Sequence, residues 1–230
     1  MSLIPIVSDE EASPEQAVLF EHCTKMLGRV ANAIRVASHS PKVAQALLGF
    51  MIPAIREEVT GALDVRIKTL AILKTSMLNG CNYCIGHNTQ LGRAVGFSDD
   101  QINALEGDYQ GSGLFSADET AAIAWAESLT LKTYREKPEV MEELKKHFSD
   151  EQIVEITMVS GFFNFWNRFT DGLQVDIEAK EQVGLIRKSK KIELNDYLTY
   201  MQSTWWNDDP QTSRGQRAAP DHKNMRSIRT

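Results

Sequence analysis

Helix-start signals recur along this chain and constrain its fold more than any other feature. A serine followed three residues later by glutamine or glutamate forms a capping box, in which backbone N–H groups at a helix N-terminus find acceptors. Such boxes begin at Ser13, Ser98, Ser116 and Ser149, and each precedes apolar residues at helical spacing. We find no convincing run of alternating polar and apolar residues, so we predict an all-α fold.

The pattern predicts a series of helices with short connections. Their expected ranges are 14–38, 41–58, 64–78, 81–95, 99–108, 117–132, 138–147, 150–174, 178–187 and 195–204. Pro53 is expected to kink or end the second helix. We predict one domain over residues 1–204 and then a polar tail over residues 205–230, disordered or lying on a neighbouring subunit. Trp205 and Trp206 are expected to dock on the body of the protein or on another subunit.

The helix expected from Asp150 is apolar on nearly all its faces. Such a helix is typically buried, either in the core or between subunits. Asn164, Arg168 and Asp171 nevertheless fall on one stripe of it. We expect these polar groups to form a hydrogen-bond network in which Arg168 pairs with Asp171, or to face a cavity.

Charge and composition narrow the range of partners. The net charge is −6, which disfavours nucleic-acid binding because that function needs a basic surface. No apolar run reaches the roughly 18 residues of a membrane-spanning helix, and the acidic N-terminus lacks the basic segment of a signal peptide. Three cysteines do not make a disulfide framework. We therefore expect a cytoplasmic protein in a reducing compartment, without nucleic-acid or membrane partners.

The segment NGCNYCIGHN, at residues 79–88, contains two of the three cysteines. A helix that starts at Cys81 would place this thiol in its first turn, where the helix dipole favours a thiolate. Cys84 lies one turn later on the same face, and His87 lies three residues further, so the imidazole could take a proton from Cys84. Tyr83 is expected to pack over the sulfurs or to bind a ligand. The spacing predicts a dithiol that cycles with a disulfide.

Three other interpretations of this segment remain open. The cysteines could be small buried residues without a chemical role. A zinc site needs about four ligands; the segment supplies three, and His22 or Cys23 would have to supply another. A thioredoxin fold would place the motif after a strand, whereas residues 66–74 have the pattern of an amphipathic helix. We expect neither a metal nor an organic cofactor.

Two further stretches accompany the cysteine segment: LDVRIKTLAIL at residues 63–73 and FFNFWNRFTDGL at residues 162–173. Together they resemble the carboxymuconolactone decarboxylase and alkylhydroperoxidase-D-like superfamily, over roughly residues 40–178. The resemblance implies an all-α helical bundle that assembles as a homo-oligomer. It also implies that Cys84 attacks a hydroperoxide and that Cys81 resolves the sulfenate into a disulfide, although the helix dipole alone would make Cys81 the more acidic thiol.

Two positions depart from the peroxidase members of that superfamily. Those members carry a glutamate where this chain has Thr69 and a relay histidine where it has Asn88. Neither threonine nor asparagine can shuttle a proton near neutral pH. His87 could substitute, although it is rotated by about 100° round the helix. Together with Tyr83 and Arg168, these residues are expected to line the pocket beside the cysteines.

Three hypotheses for the function follow. The first is a thiol-dependent, peroxidase-like oxidoreductase that reduces a hydroperoxide and has a thiol reductant protein as its partner. The second is a cofactor-free lyase or decarboxylase acting on a small organic acid, with His87 as base and Arg168 or Arg66 as the carboxylate anchor. The third is a non-enzymatic helical oligomer that contacts a partner through the tail from Trp205. We favour the first.

Overall fold

The computed structural model describes residues 1–189 and 191–207. Most of the expected polar tail lies outside the described residues. Within those ranges the chain is helical and contains no strand, which confirms the all-α prediction. No described helix has the length and apolar character needed to cross a membrane.

The α-helices lie close to the ranges expected from the sequence. They are α1 (Pro14–Leu27), α2 (Asn32–Ala37), α3 (Pro41–Ile55), α4 (Glu57–Thr60), α5 (Val65–Leu78), α6 (Asn82–Ala94), α7 (Asp99–Glu106), α8 (Ala117–Leu131), α9 (Pro138–Leu144), α10 (Asp150–Gly172), α11 (Lys180–Gly184) and α12 (Leu194–Ser203). Two short 3₁₀ helices cover Leu185–Ser189 and Trp205–Asn207.

The capping boxes explain where four of these helices begin. At three of the four, the serine and glutamine side chains each accept a hydrogen bond from the other residue's backbone N–H. At Ser116, the Glu119 carboxylate accepts from the backbone N–H, while the serine hydroxyl donates to Asp118. A cap of this kind stabilises a helix by about 1 kcal/mol.

Two expected helices are divided, the first of them for a local reason. The first ends at Leu27 because Gly28 adopts a left-handed conformation with φ of 73°, which favours glycine. The second continues past Pro53 and ends at Ile55. Because proline has no N–H, the carbonyl of Gly49 lacks its usual helical donor, and the hydroxyl of Tyr197 on α12 donates to it at 3.0 Å.

Helix α5 lies at the centre of the protein and packs against α6, α8 and α10. Even its lysines are buried. The side chain of Lys68 is fully buried and pairs with Glu155 at 3.1 Å, and Lys74 pairs with Glu127 at 3.1 Å. Buried charges need such partners. The packing of α5 fixes the turn that follows Leu78 and leads to the cysteines.

The chain after α10 crosses over α6, and we name residues 173–179 the crossing segment. Backbone and side-chain bonds from Ser2, Leu3 and Asn32 hold it in place. It passes α6 at Gly86, where an added Cβ would come within 2.6 Å of the end of the Ile177 side chain. Gly86 therefore permits the close approach of the crossing segment.

The C-terminal described residues dock on α3. Tyr200 donates to the backbone carbonyl of Gln45. The indole N–H of Trp205 donates to the carbonyl of Lys42 at 3.0 Å, and the ring of Trp206 lies beside Gly49. Both tryptophans thus dock on the body of the protein, one of the two alternatives expected.

Helix α10 differs from expectation in the partner of Arg168, and one of its faces is open in the single chain. Val154, Met158 and Phe165 are each about half exposed (51–52%) in the single chain, so one of its faces is not in the core. Arg168 donates to the backbone and side-chain oxygens of Asn164. The expected pairing of Arg168 with Asp171 is therefore wrong, because a nearer acceptor one turn back on the same helix takes the guanidinium.

Candidate functional site

A tight turn places the two cysteines at the start of α6. Gly80 has φ of 66°, a conformation that glycine adopts without strain. Cys81 then serves as the N-cap of α6, and its sulfur accepts from the backbone N–H of Cys84 at 3.4 Å. The helix thus begins one residue later than expected, and Cys81 lies at the positive end of its dipole.

The two sulfurs share one hydroxyl group. Thr170 on α10 has its Oγ1 atom 3.2 Å from the sulfur of Cys81 and 3.5 Å from that of Cys84. The same oxygen lies 3.0 Å from the carbonyl of Trp166. Both cysteines are free thiols and almost fully buried, at 1% and 2% exposed. The Thr170 hydroxyl donates to that carbonyl, so in this arrangement it accepts from a thiol, and it donates to a thiolate when its one hydrogen turns to the sulfur.

The two thiols differ in acidity. The hydrogen bond from the Cys84 thiol lowers the pKa of Cys81, and the bonds from Thr170 and the Cys84 N–H act in the same direction against burial. That same thiol–thiol bond raises the pKa of Cys84, as do burial and the charge of Cys81. Because the two pKa values shift in opposite directions, the pair forms its first thiolate on Cys81. The more acidic thiol is thus the one that the dipole argument predicted.

Cys84 lines a pocket that Cys81 does not reach. The pocket has a cavity volume of about 90 Å³, below the roughly 300–1,000 Å³ typical of sites for drug-sized ligands, so it suits a small substrate. Much of its wall is apolar and comes from α2, α3 and α10, including Ile34, Met51, Ile55, Phe163 and Trp166. The polar or charged lining residues are Arg29, Arg56, Tyr83, His87 and Asn88.

His87 is directed to a carboxylate from the crossing segment. Its Nδ1 atom lies 3.0 Å from the backbone carbonyl of Tyr83, and its Nε2 atom lies 2.8 Å from Oε2 of Glu178. The second contact is a close histidine–carboxylate contact, and neither of its atoms has another hydrogen-bond partner among the described residues. We find no hydrogen bond between His87 and either sulfur in the described part of the chain.

Glu178 is fixed by donors from three parts of the chain. Its Oε1 atom accepts from the guanidinium of Arg29 at 2.9 Å, from the backbone N–H of Asn32 at 2.6 Å and from the hydroxyl of Tyr83 at 3.2 Å. Burial alone would raise the pKa of Glu178. The contact with His87, the charge of Arg29 and the Asn32 bond outweigh burial and lower that pKa to about 2. Glu178 is therefore an ionised carboxylate.

Tyr83 and Arg56 complete the charged surroundings of the pocket. The Tyr83 hydroxyl accepts from the backbone N–H of Ala33 at 3.0 Å, and burial, with the nearby Glu178 charge, raises the pKa of Tyr83 well above its usual value. Burial lowers the pKa of Arg56 to about 10, against the opposing effect of Glu58. Tyr83 is thus neutral and Arg56 charged at neutral pH.

Of the remaining candidate residues, one lines the pocket and three do not. Asn88 lines the pocket, and its side chain donates to the carbonyl of Cys84 at 2.8 Å. Thr69 is fully buried on α5, where its hydroxyl donates to the carbonyl of Val65. Thr69 and Arg168 are not among the lining residues. Arg66, the other expected carboxylate anchor, pairs instead with Glu119.

The residues considered as further zinc ligands have other partners. His22 lies 3.0 Å from the hydroxyl of Ser203. Cys23 is enclosed in the core, where burial raises its pKa to about 12. The described residues contain no group of three or more His, Cys, Asp or Glu side chains arranged to hold a metal ion.

Sequence reasoning missed Glu178 and Arg29. Both lie far along the chain from the cysteines, and neither belongs to a motif with a fixed spacing. The one local signal was Gly86, because a glycine inside a helix often marks a close approach by another segment. That signal does not identify which segment approaches.

The sequence matches the carboxymuconolactone decarboxylase family over residues 41–128. The chain is also similar to YdfG, an uncharacterized protein of Bacillus subtilis (strain 168). The two are 28% identical over 104 residues, which are 45% of this chain and 70% of that protein.

Two solved structures share the fold. A cysteine-to-alanine variant of the debrominase Bmp8, in complex with 2,3,4-tribromopyrrole, is similar over 80% of this chain and 96% of its own, with a TM-score of 0.67 and 22% identity. ATU0492 from Agrobacterium tumefaciens is a protein of unknown function proposed to be the antioxidant-defence protein AhpD. It is similar over 62% of this chain and 95% of its own, with a TM-score of 0.55 and 28% identity.

Proposed function

The chain belongs to the carboxymuconolactone decarboxylase and AhpD-like superfamily, and from that premise we propose that it is a thiol-dependent oxidoreductase that reduces hydroperoxides. Membership supports a redox or related enzymatic activity. The proposal adds the Cys81–Cys84 dithiol as the reducing group and a small hydroperoxide as the substrate.

One observation carries the proposal: two thiols share a hydroxyl at a helix N-terminus, and only Cys84 lines the pocket. Acidity favours Cys81 as the attacking group, whereas access favours Cys84. Access is the stronger requirement, because an attacking sulfur must reach its target at van der Waals distance. This supports Cys84 as the attacking residue and Cys81 as the resolving residue.

The reaction begins with a proton transfer inside the pair. The Cys81 thiolate takes the proton of the Cys84 thiol, to which it is hydrogen-bonded. The Cys84 thiolate attacks the terminal oxygen of ROOH, the O–O bond breaks, and Cys84 becomes a sulfenic acid. The leaving oxygen takes one proton and departs as ROH. Cys81 then attacks the sulfenic sulfur, which releases water and forms the disulfide.

A thiol reductant is the proposed partner, because the disulfide must be reduced before a second turnover. Exchange with an external dithiol would transfer two electrons and two protons back to the pair. The turnover then balances as one hydroperoxide and one external dithiol giving an alcohol, water and one external disulfide.

A second candidate substrate is a halogenated aromatic compound, favoured by the two aromatic rings of the pocket wall, Phe163 and Trp166. The same dithiol could replace a ring halogen by hydrogen, forming the disulfide and a hydrogen halide. The organic-acid lyase is less well supported, because Arg66 and Arg168 lie outside the pocket lining and Arg29 is paired with Glu178.

The test is a count of free thiols in the prereduced protein, unfolded after a stoichiometric pulse of organic hydroperoxide. The wild type should fall from three thiols to one, with Cys23 remaining. The variant Cys84→Ser should keep its thiols. Cys81→Ser should stop at a sulfenic acid that a sulfenate-trapping reagent detects. An unchanged count in the wild type, or equal loss in Cys84→Ser, would reject the proposal.

We further propose a homo-oligomer whose contact includes the exposed apolar face of α10. Val154, Met158 and Phe165 lie on that face. Phe50 of α3 is 44% exposed and packs edge-on against Phe162 of α10. Contiguous apolar surface of this kind is typical of protein–protein contacts.

A further inference from the structure

The pocket beside Cys84 has room for only a few atoms. Its cavity volume is about 90 Å³, whereas an apolar cavity of about 150 Å³ binds benzene, which has six non-hydrogen atoms. In proportion, this pocket holds about four non-hydrogen atoms. Ethyl hydroperoxide has four such atoms and tert-butyl hydroperoxide has six. The space beside the sulfur therefore limits which hydroperoxides can place their oxygen atoms against Cys84.

Core residues form much of the apolar wall, so the pocket widens only at a cost. Four wall side chains are 2–7% exposed and belong to the hydrophobic core: Ile34, Met51, Phe163 and Trp166. They come from three different helices, α2, α3 and α10. Side chains in a core are closely packed, and forcing extra atoms among them displaces their neighbours. The wall therefore sets a limit on the shape of a ligand as well as on its size.

The two arginines of the wall have partners within the protein. Arg29 pairs with Glu178 at 2.9 Å. Arg56 donates to the backbone carbonyl of Ile55 at 3.0 Å, and the charge of Glu58 opposes the effect of burial on its pKa. The pocket thus suits an uncharged ligand that buries an alkyl group, and each buried CH₂ group strengthens binding about fourfold.

The position of the sulfur makes branching more important than chain length. Cys84 is 2% exposed, whereas the pocket is partly open to solvent. The attacked oxygen must therefore lie at the inner end, and the carbon that bears the peroxide group follows it. A straight chain can continue from that carbon toward the mouth. A tertiary carbon carries two further branches at the same depth, where the wall side chains lie.

We infer that the pocket selects primary, unbranched alkyl hydroperoxides over tertiary ones, and that Met51 sets this limit. The inference rests on the proposed function and specifies its substrates. Met51 is the one methionine among the described lining residues, and its flexible, unbranched side chain is of the kind that fills irregular gaps. Truncation to alanine removes its three outer non-hydrogen atoms. The pocket would then hold about seven such atoms, enough for tert-butyl hydroperoxide.

Two isomeric substrates test the inference with the same atoms in different shapes: n-butyl hydroperoxide and tert-butyl hydroperoxide. Each kcat/KM is divided by the rate constant of the same hydroperoxide with free dithiothreitol, which removes the intrinsic difference in reactivity. The wild type should prefer the n-butyl isomer by about 15-fold, since each of the two extra branches forgoes about fourfold. Equal corrected values would overturn the inference.

The chain offers a matched control for Met51. Met26 on α1 is also a core methionine, 2% exposed, and is not among the described lining residues. Truncation of either methionine should lower stability, but only Met51→Ala should bring the preference close to one. An unchanged preference in Met51→Ala, or an equal change in Met26→Ala, would overturn the inference.

Methionine methyl signals give a readout that needs no turnover. The reduced protein is labelled with ¹³C at these methyl groups, and the two signals are assigned with the conservative variants Met51→Leu and Met26→Leu. Titration with n-butanol, the product alcohol, should shift the Met51 signal and leave the Met26 signal in place. The same concentration of tert-butanol should shift Met51 less. Equal shifts of Met51 with both alcohols would overturn the inference, even if Met51→Ala does not fold.

Failure of the inference differs from failure of the proposed function. A wild type that consumes neither isomer would reject the proposed function, and the substrate preference with it. Consumption of both isomers at equal corrected rates would reject the preference alone and leave the dithiol as a hydroperoxide-reducing group.

Discussion

Thr170→Val should raise the pKa of Cys81, because it removes the only side-chain hydroxyl that contacts both sulfurs among the described residues. Valine has nearly the same shape as threonine and can occupy the same buried position. The Oγ1 atom lies 3.2 Å from the Cys81 sulfur, and a hydrogen bond to a charged group contributes about 1.5–3 kcal/mol.

The lower end of that range applies, because sulfur is a weak acceptor. About 1.4 kcal/mol corresponds to one pKa unit, so we expect the pKa of Cys81 to rise by about one unit. Below that pKa the thiolate fraction should fall about tenfold. The pKa of Cys81 should rise and not fall, because the Thr170 bond stabilises the thiolate.

The assay is the ultraviolet absorbance of the thiolate in the reduced protein as a function of pH. Thr69→Val is the control, since Thr69 is also a buried threonine bonded to a carbonyl of its own helix and does not contact the sulfurs. The titration of Thr69→Val should match the wild type. An unchanged titration in Thr170→Val, or equal shifts in both variants, would refute the assignment of Thr170 to the dithiol.

Three further predictions concern the surroundings of the site. Gly86→Leu should be less stable than Gly172→Leu by about 1–3 kcal/mol in urea unfolding, because a Cβ at Gly86 lies within 2.6 Å of the end of the Ile177 side chain, whereas one at Gly172 meets nothing within 4 Å. Alanine at Gly86 needs only a turn of that half-exposed isoleucine, so a larger side chain is the sharper test. Equal stabilities of the two leucine variants would contradict the close crossing. The pKa of Glu178 is lowered to about 2, below its unfolded value of about 4.3, so its contribution to stability should be complete above about pH 4.3 and lost toward pH 2. Glu178→Gln should therefore lose less stability than the wild type over that interval. Phe165→Glu should lower the particle mass in light scattering, while Leu114→Glu, also at an exposed apolar residue, should not.

Local signals account for what the sequence could predict. The capping boxes at Ser13, Ser98 and Ser149 act within four residues, so their helix starts could be located without knowledge of the fold. The division at Gly28 also had a local cause. By contrast, Pro53 was expected to end or kink its helix; the helix ends two residues later, at Ile55, and a hydroxyl from a distant helix donates to the carbonyl that the proline leaves without its helical donor.

The candidate site could be predicted only in part, for the same reason. The relation of Cys81 to Cys84 depends on one helical turn and was visible in the sequence. The partner of His87 depends on where a segment far along the chain crosses α6, and no periodic pattern encodes that. Helical spacing predicted that Arg168 pairs with Asp171, but its guanidinium donates to the side chain of Asn164 instead.

The cysteine pair and the carboxylate that faces its neighbouring histidine come from separate parts of the chain. The family match at residues 41–128 contains both cysteines and His87, whereas Glu178 lies outside it. Two relatives with identical cysteine motifs can therefore place different groups against the same imidazole. Exchange of this short loop between relatives should change the surroundings of the dithiol without altering the dithiol itself. In such proteins the chemistry of the site would diversify through changes in this loop, while the cysteine motif stays the same.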